Sequence, residues 1–150
     1  MNTYPGDLCS ECAARGARKL SRDERQWSEA KSHGALARWL RAVPHRLLHD
    51  LDWWHTENEG HGLKSARQGR QSKAMGVTAG VADFIVAVPG DVRGFSFCGV
   101  CIELKRPDRT GRVSDEQMEF LARRRRGGWI AEVCNGHHEA IELLCACYGW

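Results

Sequence analysis

Two apolar runs dominate the hydrophobic pattern of the chain. Residues 81–88 read V-A-D-F-I-V-A-V and residues 95–105 read F-S-F-C-G-V-C-I-E-L-K, with a Pro/Gly/Asp-containing cluster at 89–94 between them. Enrichment in Val, Ile and Phe, bounded by turn residues, predicts two antiparallel strands joined by a turn. Residues two apart in a strand share a face. Cys101, Glu103 and Lys105 therefore point one way, and Ile102 and Leu104 the other. If pairing brings Asp83 onto the first face, two carboxylates and an ammonium converge at one end of the hairpin.

The remaining pattern predicts helices around these strands. Leu36, Leu40 and Val43 recur at the helical period and predict a helix over 25–43 that Pro44 ends. Glu29 falls on the same inward stripe, where an acid either snorkels to the rim, the reading favoured from the residues alone, or adds a carboxylate to a metal site. Residues 45–54 carry Leu47, Leu48, Leu51, Trp53 and Trp54 and predict a short packed helix or turn, followed by a polar loop from His55 to Gly62. Residues 63–74 are basic and predict a short helix that Gly76 stops. Ser114 and Gln117 are spaced as a capping box. The helix they open should turn Met118, Phe120 and Leu121 inward and end at Gly127-Gly128. A third strand is expected over 129–134, and a closing helix over 138–148 with Ile141, Leu144 and Cys145 inward. This order predicts an α/β fold with a mixed central sheet flanked by helices. The second hairpin strand, the Ser114 helix and the third strand can form a right-handed crossover.

Length and composition refine this picture in a few places. With 150 residues the chain is expected to form one domain, over 25–150, preceded by a flexible polar arm at 1–24. No apolar run approaches a membrane span, and Met1 to Leu20 lack the apolar stretch of a secretory signal, so a cytoplasmic location is expected. The 7 cysteines are an odd count, which argues against a full disulfide framework. Cys9 and Cys12 have the spacing of half a zinc site. The arm is read as mobile and reduced, with structural zinc as the lesser alternative. Cys98 and Cys101 have the same spacing, but strand alternation points them to opposite faces. His45 and His49 are read as surface or packing residues. The net charge is only +3, yet Lys64, Arg67, Arg70 and Lys73, then Arg106, Arg109 and Arg112, then residues 123–126 form basic clusters. Such clustering suits a polyanionic partner.

Candidate chemistry follows from the charged strand ends. Burying Asp83, Glu103 and Lys105 together is expensive unless they bind something. Two carboxylates suit a hard cation, and a neighbouring lysine can act on a phosphate or a water. The bland alternative is a Glu103–Lys105 ion pair on a solvated face.

Taken in order, the motifs resemble the PD-(D/E)XK nuclease superfamily, and within it the VRR-Nuc family, especially its small stand-alone phage and bacterial members. The resemblance covers about Trp54 to Leu144. It rests on H-T-E-N-E-G at 55–60, and on K-A-M-G-V-T-A-G-V-A-D at 73–83, with Ala82 where the family usually has proline. It continues through E-L-K at 103–105 and G-R-V-S-D-E-Q at 111–117. The resemblance implies a restriction-endonuclease-like core and a Mg²⁺- or Mn²⁺-dependent deoxyribonuclease that leaves a 5′-phosphate and a 3′-hydroxyl. It implies that Asp83, Glu103 and the Leu104 backbone carbonyl hold the metal, with Glu29 completing the shell. Lys105 would orient or deprotonate the attacking water, and Gln117 would position the lysine or the phosphate. Asn58, Lys64, Arg67, Arg70, Lys73, Arg106, Arg109 and Arg112 become candidate DNA contacts. The similarity to Holliday-junction resolvases implies a homodimer acting on branched DNA. A catalytically weak DNA-binding module of the same fold and a sequence-preferring restriction-type endonuclease are the rival readings. A small zinc-binding interaction protein is a third.

Overall fold

The computed structural model describes residues 21–42, 52–56, 74–76, 78 and 80–150. The chain order is α1 (Arg22–Arg25), α2 (Glu29–Ala42), β1 (Trp53–His55), β2 (Phe84–Val86), β3 (Gly90–Val92), β4 (Phe95–Phe97), β5 (Val100–Lys105), α3 (Asp115–Arg126), β6 (Ile130–Asn135) and α4 (His137–Tyr148). A four-stranded sheet has the order β1-β2-β5-β6, and β3 pairs with β4 in a separate two-stranded sheet. β2 pairs antiparallel with β1 on one side and with β5 on the other, while β6 runs parallel to β5. The mixed sheet and the β5–α3–β6 crossover are as expected.

Each face of the sheet buries its own apolar layer. Leu36 and Leu40 of α2 and Leu143 and Leu144 of α4 pack with Phe84, Ile102 and Leu104 on one face. Leu121 of α3 packs with Ile85, Cys101 and Ala131 on the other. Each such Leu, Ile or Phe stabilises the fold by about 1.5–3 kcal/mol when fully buried. The faces alternate as β periodicity requires, so Ile102 and Leu104 separate from Cys101.

Several expectations need correction. The two apolar runs do not form one simple hairpin. Phe95–Phe97 turns back on Gly90–Val92, and only Val100–Lys105 pairs with β2. Arg93 (φ 54°) and Gly94 (φ 77°) make the tight reversal. Gly99 then lets the chain pass where a Cβ would lie 2.4 Å from the Trp129 ring and 2.5 Å from the Val86 carbonyl. Trp53 and Trp54 belong to a strand. Trp53 is buried, while Trp54, 47% exposed, and His55 face outward. Met118 is 48% exposed, and Leu121 is the buried residue of α3. In α4 the buried residues are His137, Ala140, Leu143, Leu144 and Cys147, while Ile141 and Cys145 are only partly covered. The expected 25–43 helix starts later, at Glu29 of α2, whose Lys31 amide donates to Ser28 Oγ at 3.2 Å, and a separate turn, α1, capped by Ser21 and Glu24, lies at the end of the stretch expected to be an arm. Val43, residues 45–51 of the expected 45–54 helix (His45 and His49 among them), residues 63–73 of the basic 63–74 segment, Cys9 and Cys12 lie outside the described residues.

Candidate functional site

The register of β2 against β5 pairs Phe84 with Ile102. One step outward, Asp83 falls opposite Glu103, where β2 begins and β5 ends. The backbone around Asp83 is pinned on two sides. Thr56 N–H donates to the Asp83 carbonyl at 2.7 Å, and Thr56 Oγ1 donates to the Ala82 carbonyl at 2.5 Å. Gly80 (φ 80°) presses the preceding turn onto the start of α3, where a Cβ would lie 2.7 Å from Glu116. No other residue type fits both that backbone conformation and that approach.

Three charged side chains meet here out of solvent: Asp83 is 4% exposed, Glu103 0% and Lys105 7%. Asp83 Oδ2 accepts the Leu104 N–H at 2.8 Å. Glu103 Oε1 lies 2.6 Å from Lys105 Nζ and accepts from Gln117 Nε2 at 2.5 Å. Glu103 Oε2 is buried and has no hydrogen-bond partner among the described residues. Gln117 is the hinge between helix cap and site. Its Oε1 accepts the Ser114 N–H at 2.9 Å, closing the capping box, while its Nε2 holds Glu103. Gly111 leaves room for Lys105, since a Cβ there would lie 3.2 Å from the lysine Cβ.

The electrostatics follow from burial. Desolvation, with the Asp83 charge, pushes the Glu103 carboxyl up to about 7 against the pull of Lys105. Desolvation also raises Asp83, opposed by the Leu104 N–H, His33 and Lys105. Burial pushes the Lys105 ammonium down, but the Glu103 hydrogen bond and the charges of Glu103, Glu29 and Asp83 outweigh it, and the net direction is upward. Glu29, the partly buried first residue of α2, thus adds a third carboxylate to the field of the site. Cys101 shares the strand face of Glu103, yet it lies among Ile85 and Leu121 with its thiol pushed up to about 12 by burial. It packs beneath the site as an inert side chain.

Asp83 and Glu103 offer carboxylate oxygens, one of them buried with no partner among the described residues. That donor set fits a hard divalent cation better than it fits a closed salt bridge.

Two histidines that sequence reasoning passed over adjoin the same carboxylate. His33 Nε2 lies 3.6 Å from Asp83 Oδ2, and His33 Nδ1 lies 3.0 Å from His55 Nε2. The four-residue spacing of Glu29 and His33, which places both on one helix face, was the available signal.

The basic candidates divide. Arg106 is held by Asp108, with Nη2 2.7 Å from Oδ2, and Arg109 is held by Glu139 at 2.7 Å. Arg112 is exposed. Asn58, Lys64, Arg67, Arg70 and Lys73 lie outside the described residues.

The whole arrangement can be set beside known proteins. A solved structure titled "VRR_NUC domain protein" superposes with a TM-score of 0.65 at 21% identity, covering 82% of this chain and 89% of that one. Residues 48–138, well over half of the chain, match the VRR-NUC domain family. The chain belongs to the VRR-NUC family. No curated protein gives a significant match. The VRR-NUC match spans β1 through the start of α4 and so includes Asp83, Glu103, Lys105 and Gln117. α2, with Glu29 and His33, precedes it. The family and the restriction-endonuclease-like mixed sheet agree with the resemblance drawn from the motifs, and the fold is of nuclease type. Among the described residues, no helix is long and apolar enough to cross a membrane.

Proposed function

We propose that the protein is a Mg²⁺- or Mn²⁺-dependent deoxyribonuclease that acts as a homodimer on branched, Holliday-junction-like DNA. The observation that carries this reading is the Glu103 carboxylate. One oxygen is held by Lys105 and Gln117, and the other is buried, with no partner among the described residues, in the field of a buried Asp83. In this reading Asp83, Glu103 and the Leu104 carbonyl hold the ion, and Glu29 supplies a further carboxylate. When bound, such an ion lowers the pKa of a coordinated water and neutralises charge developing on the phosphate. Gln117 and Lys105 fix the rotamer of Glu103. Lys105 Nζ keeps further N–H donors for the attacking water and a phosphate oxygen. The products are a 5′-phosphate and a 3′-hydroxyl.

The basic segment over 64–73, with Asn58, would grip the backbone together with Arg106, Arg109 and Arg112. Phosphate contacts carry no base readout, so selection would be by DNA shape. The catalytic unit proposed spans 25–150, with 1–24 as an appended arm.

Cleavage of a labelled panel tests this: linear duplex, flap, splayed arm and four-way junction in Mg²⁺, Mn²⁺ and EDTA. The expected result is ion-dependent cutting of branched substrates that falls by at least about 100-fold in Asp83→Ala and Lys105→Ala. Lys105→Ala should retain its fold and its DNA binding. Cutting by Lys105→Ala at the wild-type rate would overturn the assigned roles. Binding of junctions with no cutting under any ion would favour a DNA-binding module, and a discrete ladder from linear duplex a restriction-type enzyme.

A further inference from the structure

His33, His55 and Asp83 have no part in common with the hydrolytic set except Asp83, and their geometry is that of a ligand cluster. One ligand atom from each lies within 4.8 Å of the others. The two imidazoles come from different elements, α2 and β1, and are built into place. His33 and His55 meet edge to face with centroids 4.9 Å apart. Phe84 holds both, its ring centroid 5.6 Å from His33 and 4.8 Å from His55. Thr56, the residue after His55, donates its N–H to the Asp83 backbone carbonyl, so the end of β1 is tied to the main chain of the residue that carries the carboxylate. An open cavity of about 600 Å³, lined by His33, His55, Trp54 and Arg41 among others, gives access to both rings.

The donor chemistry differs from that of Asp83 and Glu103. Mg²⁺ prefers oxygen ligands, whereas imidazole nitrogen suits zinc and its transition-metal neighbours. Two histidines and one carboxylate are a known zinc donor type that leaves a fourth position for water or a substrate oxygen. Bonds of 2.0–2.2 Å at tetrahedral angles need ligand separations of roughly 3.3–3.5 Å. His33 Nε2 and Asp83 Oδ2, at 3.6 Å, lie just outside that range. His55 is exposed and can close the remaining ångström by side-chain rotation.

We infer that His33, His55 and Asp83 form a second cation site, selective for Zn²⁺-like ions, that shares Asp83 with the carboxylate site. Zinc and Mg²⁺ then compete for one carboxylate. Resting on the nuclease reading, zinc is an inhibitor of the Mg²⁺-supported reaction; zinc binding itself does not depend on that reading.

The test is calorimetric zinc titration of the full chain as wild type, His33→Ala, His55→Ala, His55→Gln and Glu103→Gln, with circular dichroism and thermal midpoints checking each fold. Zinc held by cysteine thiolates is common to all and cancels. The expected result is one zinc equivalent that weakens at least about tenfold in every histidine variant and persists in Glu103→Gln. His55 is exposed, so its variants keep the measurement decisive even where His33→Ala fails to fold. Unchanged zinc binding in both His55 variants overturns the proposal, as does loss of the equivalent in Glu103→Gln alone. In parallel, zinc is added to Mg²⁺ cleavage reactions, each normalised to its own zinc-free rate. Inhibition that disappears in His55→Ala supports competition for Asp83, and inhibition unchanged in that variant overturns it. If wild type cuts nothing, the nuclease reading fails while the titration still decides the site.

Discussion

At the scale of single residues, Gln117 separates two roles that usually travel together. Its carbonyl closes the cap of α3 and its amide holds Glu103. Ser114→Ala removes a cap, Ser114 Oγ to the Gln117 N–H, and leaves the Glu103 contact possible. It should lower stability by about 0.5–2 kcal/mol with cleavage little changed. Gln117→Ala should cost comparable stability and also lower kcat by roughly 10–100-fold, the range for losing a partner that orients a metal ligand. Denaturant melts and single-turnover rates on both variants distinguish the two effects. The acidic and basic site residues were legible in the sequence because buried charge on a strand is rare enough to stand out. The histidines were not. His33 reads as one polar residue on a helix; its spacing from Glu29 puts the two on one face, and the tertiary contact with Asp83 gives that spacing its meaning.

Elements were legible where the local signals agreed. The capping box at Ser114 and the double glycine at 127–128 bracket α3, and the structure places α3 at Asp115–Arg126. β1 was missed because Trp53–His55 offers three residues, too few to tell a period of 2 from 3.6. The β3–β4 reversal was missed because Phe95 and Phe97 continue the apolar alternation of β5, and only the backbone at Arg93, Gly94 and Gly99 breaks it. At this scale the turn at Gly80 is the sharpest constraint on the site. Gly80→Ala would force a side chain into a positive-φ conformation and against the Glu116 backbone. A loss of about 1–3 kcal/mol is expected, read as a lower denaturant midpoint. Mg²⁺ affinity should fall with it, because Asp83 is only three residues away. A Gly80→Ala protein with wild-type stability would show that this turn does not set the carboxylate.

For the whole molecule, the buried carboxylates predict a dependence of stability on pH and ions. Folded Glu103 keeps its proton up to about pH 7, whereas the unfolded chain releases it near 4.5. Between those values the folded state binds more protons, so ion-free stability should fall as pH rises from about 4.5 to 7 and then level off. Asp83, also raised, adds in the same direction. The drop should be on the order of 1–3 kcal/mol. Glu103→Gln should flatten it. Mg²⁺ should raise the thermal midpoint more at pH 8 than at pH 5, since only the ionised carboxylates bind it. A midpoint that rises with pH through this window in the absence of ions would contradict the buried-carboxylate account.

The β3–β4 hairpin leaves the sheet where β2 ends and β5 begins, the end opposite Asp83 and Glu103. Its inner residues Val92, Phe95 and Phe97 are buried, Phe97 meets the Tyr148 ring of α4, and Tyr148 donates to the Val88 carbonyl at 2.7 Å. Its tip, Arg93 and Gly94, is exposed. Evolution therefore has a place to lengthen or shorten this chain, and an engineer a place to splice in a fluorophore or a tether, with the length of β2 and β5 between the change and the carboxylates.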